Sequence, residues 1–126
     1  MIIEKVLPKS VIIHIDRFSL SPYLQLEAVQ EFKELCLSSG TKVCAEVLGK
    51  IDRPSSNFFV KQGKLDEIKQ LVQSNKAKLV IFNNDLTPSQ QRNLEEYLCA
   101  RVLDRTSLIL DIFASRASSH IGKLQV

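Results

Sequence analysis

Four short apolar runs, each followed by a segment with helical spacing, leave this chain few ways to fold. Val11-Ile12-Ile13-His14-Ile15, Val43 to Leu48, Leu79-Val80-Ile81-Phe82 and Val102-Leu103 are the runs. β-Branched side chains lose rotamer freedom in helices and pack well on a pleated surface, so these segments predict strands. The first and third are continuously apolar, the mark of strands covered on both faces. The second alternates, with Val43, Ala45 and Val47 expected on one face and Cys44, Glu46 and Leu48 on the other. Ser21-Pro22 supplies an N-cap and a first-turn proline, Ala28, Phe32, Leu35 and Cys36 follow at helical spacing, and Gly40 ends that helix. Gly63 opens a second helix striped by Leu65, Ile68, Leu71 and Val72, with Asp66 and Glu67 near its positive end. Thr87-Pro88-Ser89-Gln90 is a capping box for a third, reaching about Leu98, and a fourth starts near Thr106. Strands alternating with amphipathic helices imply an α/β fold: a mainly parallel four-stranded sheet, right-handed crossovers and helices on both faces. The order of strands within the sheet is not written in the pattern.

Composition narrows the class. At 126 residues and 44% hydrophobic, the chain is sized for one domain with an ordinary core. A quarter of the residues are charged and Gly and Pro number four each, which excludes fibrous and disordered classes. Cys36, Cys44 and Cys99 are odd in number and lack metal-ligand spacing, so reduced thiols in a cytoplasmic protein are expected. No run approaches the roughly 18 apolar residues of a membrane span, and Glu4, Lys5 and Pro8 interrupt the apolar start.

The charge is local. Lys50, Arg53, Lys61 and Lys64 against the single Asp52 give this segment +3, equal to the net charge of the whole chain. Lys61-Gln62-Gly63-Lys64 sits at a helix start, where free N–H groups and the dipole favour an anion. The expected RNA- or phosphate-binding set is therefore Lys50, Arg53, Lys61, Gln62, Gly63 and Lys64. Phe58 and Phe59 beside it are either stacking residues or core plugs. Neither G-x-x-x-x-G-K-[ST] nor G-x-G-x-x-G occurs; Gly122-Lys123 is followed by Leu124. Phosphate contact without hydrolysis is the expectation.

A second constellation lies at the strand ends: Asp16 and Arg17, Asn84 and Asp85, Asp104 and Arg105. Open parallel sheets take ligands outside these ends, yet Asp and Asn at strand–helix turns also cap helices. Gln90-Gln91-Arg92-Asn93 reads as a polar helix face. His14 lies in a strand and His120 in the last helix, neither with a nucleophile and carboxylate at motif spacing, so no catalytic residue and no metal site are expected.

Three stretches carry a resemblance: Gly63 to Ile68, Leu79 to Glu95, and Asp104 to Ala117 with the trailing Gly122-Lys123-Leu124-Gln125-Val126. In order and spacing these resemble the N-terminal domain of the HflX-type GTP-binding proteins. The resemblance implies an α/β domain over residues 1–105 and, from 106 to 126, the start of a long helical segment. That segment leads toward a helical hairpin and then a Ras-like GTPase domain, neither contained in this chain. It further implies cytoplasmic association with the large ribosomal subunit and its RNA, and in some members splitting of stalled ribosomes. GTP and Mg belong to the full-length protein, with no cofactor and no enzymatic activity expected in this fragment. Adenine-nucleotide binding attributed to the family's N-terminal region makes a regulatory or hydrolytic nucleotide module at the strand ends the alternative. Two departures stand out. The family's Tyr-[Ile/Val]-Gly-x-Gly-Lys reads Phe59-Val60-Lys61-Gln62-Gly63-Lys64 here, and its Glu before the last Gly-Lys is Ile121. Phe113, Ala117, Ile121 and Leu124 continue one apolar stripe along the final helix, which calls for a packing partner.

Overall fold

The computed structural model describes residues 7–124, with side chains as far as Ser115. Strands and helices alternate as β1 (Lys9–Asp16), α1 (Pro22–Ser38), β2 (Lys42–Lys50), α2 (Gln62–Asn75), β3 (Leu79–Phe82), α3 (Pro88–Leu98), β4 (Arg101–Leu103) and α4 (Arg105–Leu124). The sheet has four strands, all parallel, in the order β2-β1-β3-β4. The chain steps outward from β1 to β2 and then returns past β1 to β3. The switch point of the sheet therefore lies between β1 and β3.

The pleat distributes β1 to two cores. Val11, Ile13 and Ile15 pack with Leu65, Ile68 and Val72 of α2 and Leu94 and Leu98 of α3. Ile12 packs on the opposite face with Phe32 and Cys36 of α1 and Leu108 and Ile112 of α4. A strand with a core on each side is apolar on both faces, which is why the Val11–Ile13 run of β1 shows no alternation.

β2, at the edge, departs from the expected pattern. Ser10 pairs with Val43 but Val11 with Ala45, so Cys44 is an extra residue in a β-bulge. A single inserted residue exchanges faces: Val43 joins the α1/α4 core while Ala45 and Val47 join the other.

Three of the four helices are capped by side chains. Ser21 Oγ accepts from Leu24 N, Thr87 and Gln90 form the reciprocal box, and Asp104 Oδ1 accepts from Ser107 N at 2.8 Å. α2 opens at Gln62, one residue before Gly63, and its N-cap Lys61 makes no side-chain cap bond. In α4 the packed residues are Leu108 and Ile112, while Phe113 is 65% exposed. The apolar stripe counted from Phe113 is thus turned about 100° away from the sheet. Its continuation at Ala117, Ile121 and Leu124 lies outside the described side chains. Among the described residues no helix is long and apolar enough to cross a membrane.

Candidate functional site

The segment between β2 and α2 has its own architecture. Ile51 N donates to Asp16 O at 3.0 Å, carrying the chain past the end of β1. Ser55 and Phe59 then exchange both backbone hydrogen bonds at 3.0 Å, and Ser55 Oγ accepts from Asn57 N. Val60 N donates to Phe58 O at 2.7 Å, closing a γ-turn centred on Phe59 at φ 66°. The Phe59 ring holds this strained corner: it is 2% exposed and meets Phe82 edge-on at 6.1 Å. Phe58 packs edge-on against Tyr97 at 5.6 Å. Phe59 is a core plug, while Phe58 is half-buried and packs at the margin of the same core.

Two side chains of α3 tie the segment down. Gln90, 6% exposed, accepts from Thr87 N through Oε1 and donates to Ser55 O at 2.7 Å through Nε2. Asn93 donates to Asn57 O at 3.0 Å. Sequence reasoning took at least some of Gln90, Gln91, Arg92 and Asn93 as a solvated face without singling out these two amides. The available signal was their spacing, since residues three apart share one side of a helix.

Between this loop and the start of α2 lies a cavity of about 350 Å³ lined by Ile15, Lys50, Ile51, Asp52, Val60, Lys61 and Lys64. Its floor is apolar: Ile15, Ile51 and Val60 are all buried. Lys64 Nζ is fixed by Leu48 O at 3.0 Å and by Glu67 at 2.9 Å. A Cβ at Gly49 would lie 3.1 Å from Lys64 Cε, so the missing side chain gives that lysine its path across β2. Among the described residues Lys50 and Lys61 enter no ion pair. The uncapped end of α2 adds its partial positive charge. Lys61 takes the extended N-cap conformation at φ −79°, which a non-glycine residue adopts without backbone strain.

Of the six residues expected to bind phosphate, Lys50, Lys61 and Lys64 come together on this cavity. Arg53 and Gly63 are exposed and do not line it. Gln62 turns outward, donating to Asp66 at 2.9 Å and Tyr97 Oη at 3.2 Å, because its i+4 neighbour on the helix offers a carboxylate.

The strand-end residues converge, but on one another and on the backbone. Asp16 accepts from Phe18 N and Leu20 N at 2.9 and 3.0 Å. Asp104 caps α4 and accepts from Leu86 N at 3.1 Å. Asn84 sits at the switch point, accepting from Ile15 N at 3.3 Å and donating to Ile15 O at 2.9 Å. Asp85 accepts from Thr106, and Arg105 donates to Asn83 and Glu31, each at 2.8 Å. Arg17 is exposed, 6.0 Å from the Phe18 ring centroid. His14, buried on β1, lies 2.8 Å from the Asn83 amide nitrogen through Nδ1, while Nε2 has no hydrogen-bond partner among the described residues. Burial pulls its pKa below the ordinary value, opposed by the charge of Asp16.

This geometry sits within a sequence relationship. The family described as GTP-binding GTPase N-terminal matches residues 26–114. GTPase HflX of Escherichia coli strain K12 is 46% identical over 101 residues, covering 80% of this chain and 24% of the relative. GTPase HflX of Caldanaerobacter subterraneus subsp. tengcongensis is 43% identical over 100 residues, covering 79% and 23%. The chain thus spans about a quarter of the length of these relatives. Among solved structures, a GTP-binding protein from the archaeon Sulfolobus solfataricus in complex with GDP shares the fold. Its TM-score is 0.61 at 21% identity, over 84% of this chain and 30% of that one.

Proposed function

The chain belongs to the HflX family of GTP-binding proteins as its N-terminal domain, and from that membership we propose that it contacts the RNA of the large ribosomal subunit through Lys50, Lys61 and Lys64. The supporting observation is the cavity on which these lysines meet, with Lys50 and Lys61 outside any ion pair among the described residues. Phosphates bring their own charge to such a surface, and the counterions released on contact make binding favourable at low salt. GTP hydrolysis with Mg, and splitting of stalled ribosomes, are functions we assign to the full-length protein. The chain lacks the G-x-x-x-x-G-K-[ST] loop that cradles GTP, so no step of that chemistry is assigned to its residues. Its own contribution is to position the protein on RNA.

An adenine-nucleotide module at the strand ends draws less support. Asp16, Asn84 and Asp104 already serve backbone groups, and Arg105 already serves Asn83 and Glu31. Calorimetric titration of the chain with ATP, ADP and GTP separates the two readings, since a saturable signal lost in Asp104→Ala would favour the nucleotide module.

The RNA reading is tested by Lys61→Glu combined with Lys64→Glu. Binding to large subunits should weaken, and the slope of log affinity against log salt should fall by about 1.4 to 1.8 units, roughly 0.7–0.9 for each of the two phosphates no longer neutralised. An unchanged affinity and slope would overturn the assignment.

A further inference from the structure

Resting on the reading of this cavity as an RNA contact, we propose that it receives one unstacked nucleotide of single-stranded or looped RNA. The base lies on the Ile15–Ile51–Val60 floor and its phosphate meets the cavity's lysines.

A surface that only tracks phosphates needs cations and no depth. This one has depth, about 350 Å³, and an apolar floor of buried aliphatic side chains. That volume lies at the lower end of the roughly 300–1,000 Å³ typical of small-ligand sites, room for one base with its sugar. Aliphatic side chains gain nothing from a phosphate and gain from the flat face of a base. Phe58 and Phe59, turned to Tyr97 and Phe82, leave that face to aliphatic groups.

Asp52 orients the ligand. It is the one carboxylate among the lining residues, and it is exposed at the rim. Like charge keeps the phosphate from Asp52, and the three lysines offer it an alternative. The carboxylate accepts only, so it favours a base edge carrying an exocyclic amine (adenine, cytosine or guanine) over uracil, whose single N3–H lies between two carbonyl oxygens that repel a carboxylate. Lys64, already anchored by Leu48 O and Glu67, is held in place before RNA arrives.

The test compares short oligo(A), oligo(U), a blunt RNA duplex of equal length and free AMP, by fluorescence anisotropy and competition at one salt concentration. Oligo(A) is expected to bind the chain about fivefold or more tighter than the duplex, despite the duplex's higher charge density. Asp52→Ala should erase the preference for oligo(A) over oligo(U) without weakening oligo(U). Gly49→Ala, which crowds Lys64 Cε without changing charge, should weaken both single strands. The proposal is overturned if the duplex binds as tightly as oligo(A), or if Asp52→Ala strengthens every probe equally by removing a like charge. It is also overturned if AMP saturates the chain where oligo(A) does not bind, which would mark a free-nucleotide site. If the duplex binds as tightly as oligo(A) and that binding collapses in Lys61→Glu with Lys64→Glu, the electrostatic reading stands and this one falls. Absence of binding by any RNA would remove both.

Discussion

Asn83 turns its amide N–H toward His14 Nδ1, an arrangement that favours the neutral imidazole. The guanidinium of Arg105 only donates, so the Asn83 oxygen must face it, at 2.8 Å. The Asn83 amide nitrogen is then left for His14 Nδ1, also at 2.8 Å, which makes Nδ1 the acceptor and places the imidazole proton on Nε2. A second proton would set one N–H donor against another. The groups facing this imidazole are Asp16 from its own strand, Asn83 after β3 and Arg105 at the start of α4, with Glu31 of α1 paired to that arginine.

Stability should therefore depend on pH through His14. Its folded-state pKa lies below the ordinary value of about 6.5, so the unfolded chain takes the proton more readily. The stabilisation is complete above that ordinary value and is lost as pH falls below it toward the folded value. Urea midpoints measured from about pH 8 to pH 5 should fall for the wild type. His14→Gln should be less stable at the upper end and show a shallower decline. Parallel curves would mean that other groups carry the dependence.

Gln90 joins a helix cap to a loop, so one substitution should damage both. Gln90→Ala should cost roughly 1–3 kcal/mol in urea unfolding. Gln90→Glu keeps the acceptor for Thr87 N but has no donor for Ser55 O, and should recover little of that loss.

Phe59 combines a buried ring with a backbone that glycine would prefer. Truncating the ring to alanine should cost about 3–5 kcal/mol. Glycine is usually worse than alanine in ordered structure, but at φ 66° it relieves about 1 kcal/mol or more of left-handed strain. Phe59→Gly should be at least as stable as Phe59→Ala; the reverse order in thermal or urea unfolding would show that the γ-turn is not strained.

The three thiols should react in sequence with an aromatic disulfide reagent. Cys99 is exposed and should react first, with the half-buried Cys44 behind it. Burial pushes the Cys36 thiol up to about 12, only partly opposed by the charge of Arg105. Thiolate is the reactive species, so Cys36 should be modified only as fast as the protein unfolds.

Local order was legible because it rests on local signals. The β-branched run at Val11, the Ser21 and Thr87 caps and the stripe at Leu65 and Ile68 each declare an element within a few residues. The structure keeps all eight elements in order. What escaped depends on long-range geometry. The bulge at Cys44 exists because β1 and β2 must match lengths, and nothing in the Val43–Leu48 pattern records it. Phe113 and Ile112 are equally apolar, and only the direction in which α4 leaves its Asp104 cap decides which is buried. At the site, the basic segment was visible as charge. That three of its cations would share a cavity while Arg53 and Gln62 faced elsewhere required the turn at Phe59 and the Asp66–Tyr97 pair.

Asn84 has a consequence for how domains of this topology acquire ligands. The doubly wound plan opens a crevice between β1 and β3, and here the Asn84 carboxamide mimics the next rung of the ladder with both polar atoms on Ile15, beside the hydrogen-bonded Asp16, Asn83 and Arg105. Surveys that locate ligands from strand order alone would search at this position and overlook the flank over β2 and α2. The strand ends at the switch point thus spend their polar groups on one another, and the room for a ligand moves one strand outward, to the cavity that Ile15 shares with Lys50 and Lys64.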